Sequence, residues 1–234
     1  MKTFVLPTFA LSLLALVPAF AQTAPEVRSV ASFHAIEVSN GSELQLASGT
    51  DQHVEAVADD AEQLARLKTE VSDGVLKITF ERKLTETWTM AKTRHLRVSV
   101  TATSLTALHA SSGARAEVVG AFTTQNLDVE VSSGATLKAN FTSTDLRAQV
   151  SIGGVATLAG NAQRLDVGAS SGGVFKGSEL MARACDASAS SGGTVDVAVQ
   201  ETLTANASSG GDVRYSGSPR VSKHTSSGGS VKGR

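Results

Sequence analysis

Leu165-Asp166-Val167-Gly168-Ala169-Ser170-Ser171-Gly172-Gly173-Val174-Phe175-Lys176 places apolar residues at alternate positions on both sides of a Ser-Ser-Gly corner. A period of two belongs to a strand with one buried face. The glycine supplies φ > 0 where the chain turns, and the serines are suited to bonding turn backbone groups. The stretch therefore reads strand, corner, strand.

It is one of seven. Ser-Ser-Gly, or Ser-Ile-Gly once, ends at Gly113, Gly134, Gly153, Gly172, Gly192, Gly210 and Gly228, with spacings of 21, 19, 19, 20, 18 and 18. The last five copies carry a second glycine, at 154, 173, 193, 211 and 229. Flanking residues fall into columns. Seven before each glycine stand Thr106, Leu127, Leu146, Leu165, Cys185, Leu203 and Val221; five before stand Leu108, Val129, Ala148, Val167, Ala187, Ala205 and Lys223. Three before, the column ends in Ala207 and Thr225. After the corner Leu137, Phe175, Val195, Val213 and Val231 point inward. Each repeat is expected to be two strands around the corner with a short, variable return. One repeat cannot bury its apolar face alone, whereas stacked repeats share a continuous core. Coils of this length without a helical pattern predict a parallel β-helix, with like residues stacked about 4.8 Å apart. An antiparallel meander is the alternative. Leucine-rich repeats need another Leu/Asn pattern, and propeller blades need about 40 residues.

The ends and composition set further bounds. Lys2, the apolar run Phe9 to Val17 and Ala19-Phe20-Ala21 form an export signal, with cleavage expected after Ala21 and Gln22 first in the mature chain. No later stretch is apolar enough to be a transmembrane helix. Net charge is −1, which provides no field for nucleic acid. The single Cys185 makes no internal disulfide, and aromatics at 4% predict a thin Val/Leu/Ala core. The expected organisation is signal 1–21, linker 22–31 and one solenoid domain 32–234, irregular over 32–104 and repetitive over 105–234. In the irregular part, Ile36 to Leu46 around Ser39-Asn40-Gly41 reads as an early coil. Asp59 to Leu67 reads as a short helix, and Ser72-Asp73-Gly74 as a hairpin turn before Val75 to Phe80. This segment is placed as a cap on the N-terminal end.

Phe33-His34-Ala35-Ile36-Glu37-Val38, the Leu67 to Ile78 segment ending Asp73-Gly74-Val75-Leu76-Lys77-Ile78, and the Ser-Ser-Gly ladder together resemble the auto-transporter adhesin, head GIN domain family. The resemblance runs from about Ser32 to the C-terminus. It implies a right-handed, three-sided β-helix of pectate-lyase-like shape and no established activity. With 234 residues there is no room for a translocator barrel, so export is expected through the signal rather than by self-transport.

The chemistry in the sequence is sparse. The five histidines, at 34, 53, 95, 109 and 224, lack metal-ligand spacing. Serines repeated at seven equivalent turns, six Ser-Ser and one Ser-Ile, are structural rather than nucleophilic, since a nucleophile needs a base held in reach. No cofactor motif is present. The candidate binding residues are the outward column Asp128, Arg147, Asp166 and Asp186, together with Trp88 on a polar loop. Stacking sets Arg147 between two carboxylates and leaves Asp166 and Asp186 without an intervening cation. The residue types are those with which β-helix polysaccharide lyases hold Ca²⁺ beside a basic group. Cys185, in the inward column, reads as a buried small hydrophobe.

The functional expectation is an exported, non-enzymatic binding or scaffold protein whose faces contact a cell-surface glycan or an envelope protein. The rival is a carbohydrate-active, lyase-like enzyme on the same fold. A third reading is structural: weak end-to-end self-association through the last coil, opposed at low salt by Lys223, Lys232 and Arg234.

Overall fold

The computed structural model describes residues 23–82 and 95–234. The chain order begins with β1 (Glu26–Val27), β2 (Ala35–Val38), β3 (Glu43–Ser48), β4 (His53–Val57), α1 (Ala61–Arg66), β5 (Leu67–Ser72), β6 (Val75–Phe80), β7 (Arg97–Ala102) and β8 (Ala107–Ala110). It continues with β9 (Arg115–Val131), β10 (Thr136–Val150), β11 (Val155–Ala169), β12 (Val174–Ala189), β13 (Thr194–Ala207), β14 (Asp212–Ser216), β15 (Arg220–Thr225) and β16 (Ser230–Gly233).

The repeats stack as a parallel β-solenoid of about seven turns. Thr136 to Val150 lie beside Val155 to Ala169, like residue beside like, at an offset of 19. The parallel register rules out the meander. Contrary to the expected short return, the return is itself strand: β9 to β13 each run unbroken from one corner to the next. Return residues are paired because the coil below offers them partners. The spacing differences are taken up there. β9 carries two residues more than β10 between Glu117 and Ala121, with Gly120 at φ 81, and β12 against β13 changes register after Gly177. These irregularities let coils of 18 to 21 residues keep one register at the corners.

Each corner is a two-residue turn closed by a backbone bond such as Gly173 N–H to Ser170 O, 2.8 Å. Both central residues have positive φ: Ser171 at 49° and Gly172 at 72°. The serine shares the left-handed conformation that the sequence assigned to glycine alone. The second glycine answers a different need. A Cβ on Gly193 would stand 2.3 Å from the Ala169 carbonyl oxygen one coil below, whereas one on Gly192 meets nothing within 4 Å.

From Leu127 to Ala207 the predicted inward columns are the core, whereas Thr106, at the head of the first column, is exposed and Leu105 is buried beside it. Leu127, Leu146, Leu165, Cys185 and Leu203 are at most 3% exposed, and the Val129 to Ala205 column is fully enclosed. Burying one such leucine contributes roughly 1.5–3 kcal/mol. The last coil departs from the expectation. Val221, Lys223 and Thr225 keep the inward register against Leu203, Ala205 and Ala207, yet all of β15 is exposed. Among the described residues no coil covers them.

The N-terminal end confirms the early coil, the short helix and the hairpin. β2 and β3 carry the Asn40-Gly41 corner, with φ 59° and 75°, and stack on β8 and β9. Stacking order departs from chain order: β6 and β7 lie outside β2 and β3, although they follow them in sequence. Antiparallel β5 covers the β6 edge, while β4 and then β1 cover β7. α1 joins β4 to β5, places Leu64 on the core and is N-capped by Asp60, whose Oδ1 accepts from the Gln63 backbone N–H at 2.8 Å.

Candidate functional site

The inward phase in β10 slips between Ser143 and Leu146, so Thr144 and Asp145 both face outward and mark a corner of the coil. Leu127, Leu146 and Leu165, nearly buried, line the bottom of a groove of about 440 Å³ that runs along this corner. One wall is the predicted column. Asp128, Arg147, Asp166 and Asp186 are in register across β9 to β12, followed by Thr204 and Ser222. The other wall is Asn126, Asp145, Arg164 and Ala184, each two residues upstream of its counterpart.

The second wall was missed in the sequence. Its signal was present, since Asn126, Asp145 and Arg164 recur every 19 residues. Simple alternation, however, makes residues two apart members of one flat face, and only the phase slip turns that face into a groove. Trp88 lies outside the described residues. The seven corner glycines, Gly113 to Gly228, sit at left-handed turn positions away from the groove.

The charges are unevenly satisfied. His109 Nε2 is 2.9 Å from Asp128 Oδ1, and Arg147 Nε is 4.0 Å from Asp128 Oδ2. Arg164 holds Asp145 through Nε and Nη2, the latter 2.6 Å from Oδ2. The hydrogen bond to Asp145, and then its charge, raise the Arg164 pKa further. Asp166 and Asp186 are exposed neighbours, and neither side chain forms an ion pair or hydrogen bond with a described residue. Their field reaches the core: burial, then the charges of Asp186 and Asp166, push the Cys185 thiol up to about 12. That thiol is inert packing rather than a nucleophile. The groove thus combines four carboxylates, two guanidiniums and no aromatic ring. It offers hydrogen bonds and charge, with no stacking platform. Among the described residues no three His, Cys, Asp or Glu side chains are grouped to hold a metal.

The family model "Putative auto-transporter adhesin, head GIN domain" matches residues 32–219, which includes the whole groove. The chain belongs to this head GIN domain family. Solved structures share its fold at low identity. A protein from Bacteroides fragilis NCTC 9343, named a putative adhesin, superposes with a TM-score of 0.80 at 20% identity, over 93% of this chain and 99% of that one. Another so named, from Parabacteroides distasonis ATCC 8503, gives 0.71 at 22% identity, over 92% and 97%. A protein of the latter organism named a putative lipid binding protein gives 0.61 at 18%, over 90% and 96%. No curated protein matches the chain. In this head GIN domain no described helix is long and apolar enough to cross a membrane.

Proposed function

We propose that this head GIN domain is an exported, non-enzymatic binding protein of the cell envelope, and that the corner groove holds a polyhydroxylated glycan strand. The observation that carries the reading is the groove itself, with a charged row from Asp128 to Asp186 and a second in-register row of Asn126, Asp145 and Arg164 on either side of a leucine floor. A carboxylate accepts hydrogen bonds from neighbouring hydroxyls and a guanidinium donates to ring and hydroxyl oxygens, so walls that mix Asp and Arg suit a sugar polymer. Coils about 4.8 Å apart present these groups as a periodic track. The adhesin names of the family and of two structural relatives support surface binding. Export rests on the Lys2 to Ala21 signal.

The rival, cleavage of that strand, has weaker support. A catalytic side chain needs a partner that orients it against the strand, whereas neither Asp166 nor Asp186 is held by a hydrogen bond or ion pair to a described residue. The deciding experiment is a binding screen of the mature protein against envelope glycans and envelope fractions. Asp166→Asn/Asp186→Asn and Arg147→Ala are run beside the parent protein, and the supernatant is assayed for released sugar. Glycan retention by the parent, lost in both variants, supports the groove. Retention unaffected by them rejects it, and released product would establish the enzyme reading.

A further inference from the structure

Among the described residues the two ends of the solenoid differ in charge. The elements that close the N-terminal end, residues 23–28 and 49–72, carry seven carboxylates against three Lys or Arg, a side-chain charge of −4. Residues 212–234 at the other end carry one carboxylate against five, a charge of +4. Arg214 and Arg234 are held by Asp212 and Asp196. Arg220, Lys223 and Lys232 have no carboxylate partner among the described residues.

Both ends also present strand edges paired on one side only. β15 pairs with β13 and β16 with β14; at the opposite end β5 pairs with β6, and β1 with β4 over two residues. β5 and β15 are outermost on the same side of the coil, through β6, β2, β8 and the later halves of β9 to β13. β1 and β16 are outermost on the other. β5 and β15 are six residues each. Val221, 36% exposed in the inward column, and half-buried Val231 stand uncovered beside the basic groups.

We propose that copies of this protein associate head to tail, the basic β15/β16 end of one against the acidic β5/β1 end of the next. An unpaired edge and an uncovered apolar column are satisfied by another strand edge and not by an anionic lipid surface, so a second copy is the favoured occupant over a membrane. A contact between two different surfaces does not close on itself unless its rotation does, and it builds open chains. The sign of the salt dependence follows. Cations that would oppose a tail-to-tail contact favour this one, and association is strongest at low ionic strength, where screening is least.

Analytical ultracentrifugation of the full mature chain, over a range of concentrations at low and high salt, tests this. Mass should rise with concentration at low salt and return to monomer at high salt. Arg220→Glu/Lys223→Glu should weaken association at least about tenfold, with unchanged circular dichroism, as should Asp51→Lys/Glu70→Lys. Mixing these two variants restores complementary ends and should recover a complex that neither forms alone. Monomer behaviour at low salt and high concentration overturns the proposal. So does association that grows with salt, which marks an apolar tail-to-tail contact. Binding to anionic vesicles without self-association, or a mixture that recovers nothing, overturns it as well.

Discussion

The turn at Asp73-Gly74 and the corner at Ser171-Gly172 have the same backbone, with φ of 53° and 74° in one and 49° and 72° in the other. Their surroundings differ. After Asp73-Gly74 the chain folds back on itself, and β5 pairs with β6 from Ser72↔Val75 to Leu67↔Phe80. After Ser171-Gly172 the flanking strands part. Ala169 pairs with Val150 and Ala189, and Val174 with Val155 and Thr194. The turn permits a hairpin, whose twist it matches, but does not impose one. Where a coil lies above and below, both flanking strands take partners there and bury their inward residues. At the end of the stack β6 has a coil on one side only, and its free edge is closed by the hairpin partner.

The largest break in the ladder should come from Cys185→Asp. It puts an unpaired charge into the inward column, beside the two carboxylates that already raise the thiol pKa. No folded protein should be recovered, whereas Cys185→Ala should cost only about 1 kcal/mol in denaturant unfolding. Native Cys185 should resist bulky thiol reagents. Fast labelling would mean that the column is misplaced.

Glycine substitutions sharpen the contrast between ladder and cap. In Gly193→Ala the new Cβ meets the Ala169 backbone oxygen, which cannot move without shifting a coil, so about 1–3 kcal/mol should be lost. In Gly74→Ala it meets the His34 ring at 2.4 Å, which can rotate away. There the cost should reduce to the left-handed backbone, about 1–2 kcal/mol. Gly193→Ala should therefore lower the Tm more than Gly74→Ala, and equal or reversed shifts would contradict this ordering.

Ile152 is a smaller irregularity. It is β-branched, 61% exposed and at φ 48° where its equivalents are serine. Ile152→Asn should stabilise by about 1 kcal/mol, since asparagine tolerates this conformation. The smallest effect belongs to the cap. The Gln63 backbone N–H and then its side chain hold the Asp60 carboxyl below its usual range. The resulting stabilisation is present above the unfolded pKa and is lost as pH falls through the lower folded value. The α1 amides should therefore lose protection, measured against their intrinsic exchange rates, as pH falls through that range, while in Asp60→Ala protection should be low at every pH.

The period, the corners and the inward columns were legible in the sequence because they are local. Alternation reports which face of a strand is buried, and the corner glycine reports a left-handed residue, although not that the Ser, Asn or Asp before it shares that conformation. The Asp128 to Asp186 column followed from them, since a constant spacing puts like residues in register. Three features required the tertiary structure. One is the placement of β6 and β7 outside β2 and β3. Another is the use of one turn as hairpin at Asp73-Gly74 and as coil corner at Ser171-Gly172. The third is the wall of Asp145 and Arg164 that turns a charged face into a groove. Each depends on which strand edge is free to pair, or on where a coil bends over its neighbour. Dihedral preference and periodicity are set by adjacent residues, whereas a free edge is set by everything already stacked.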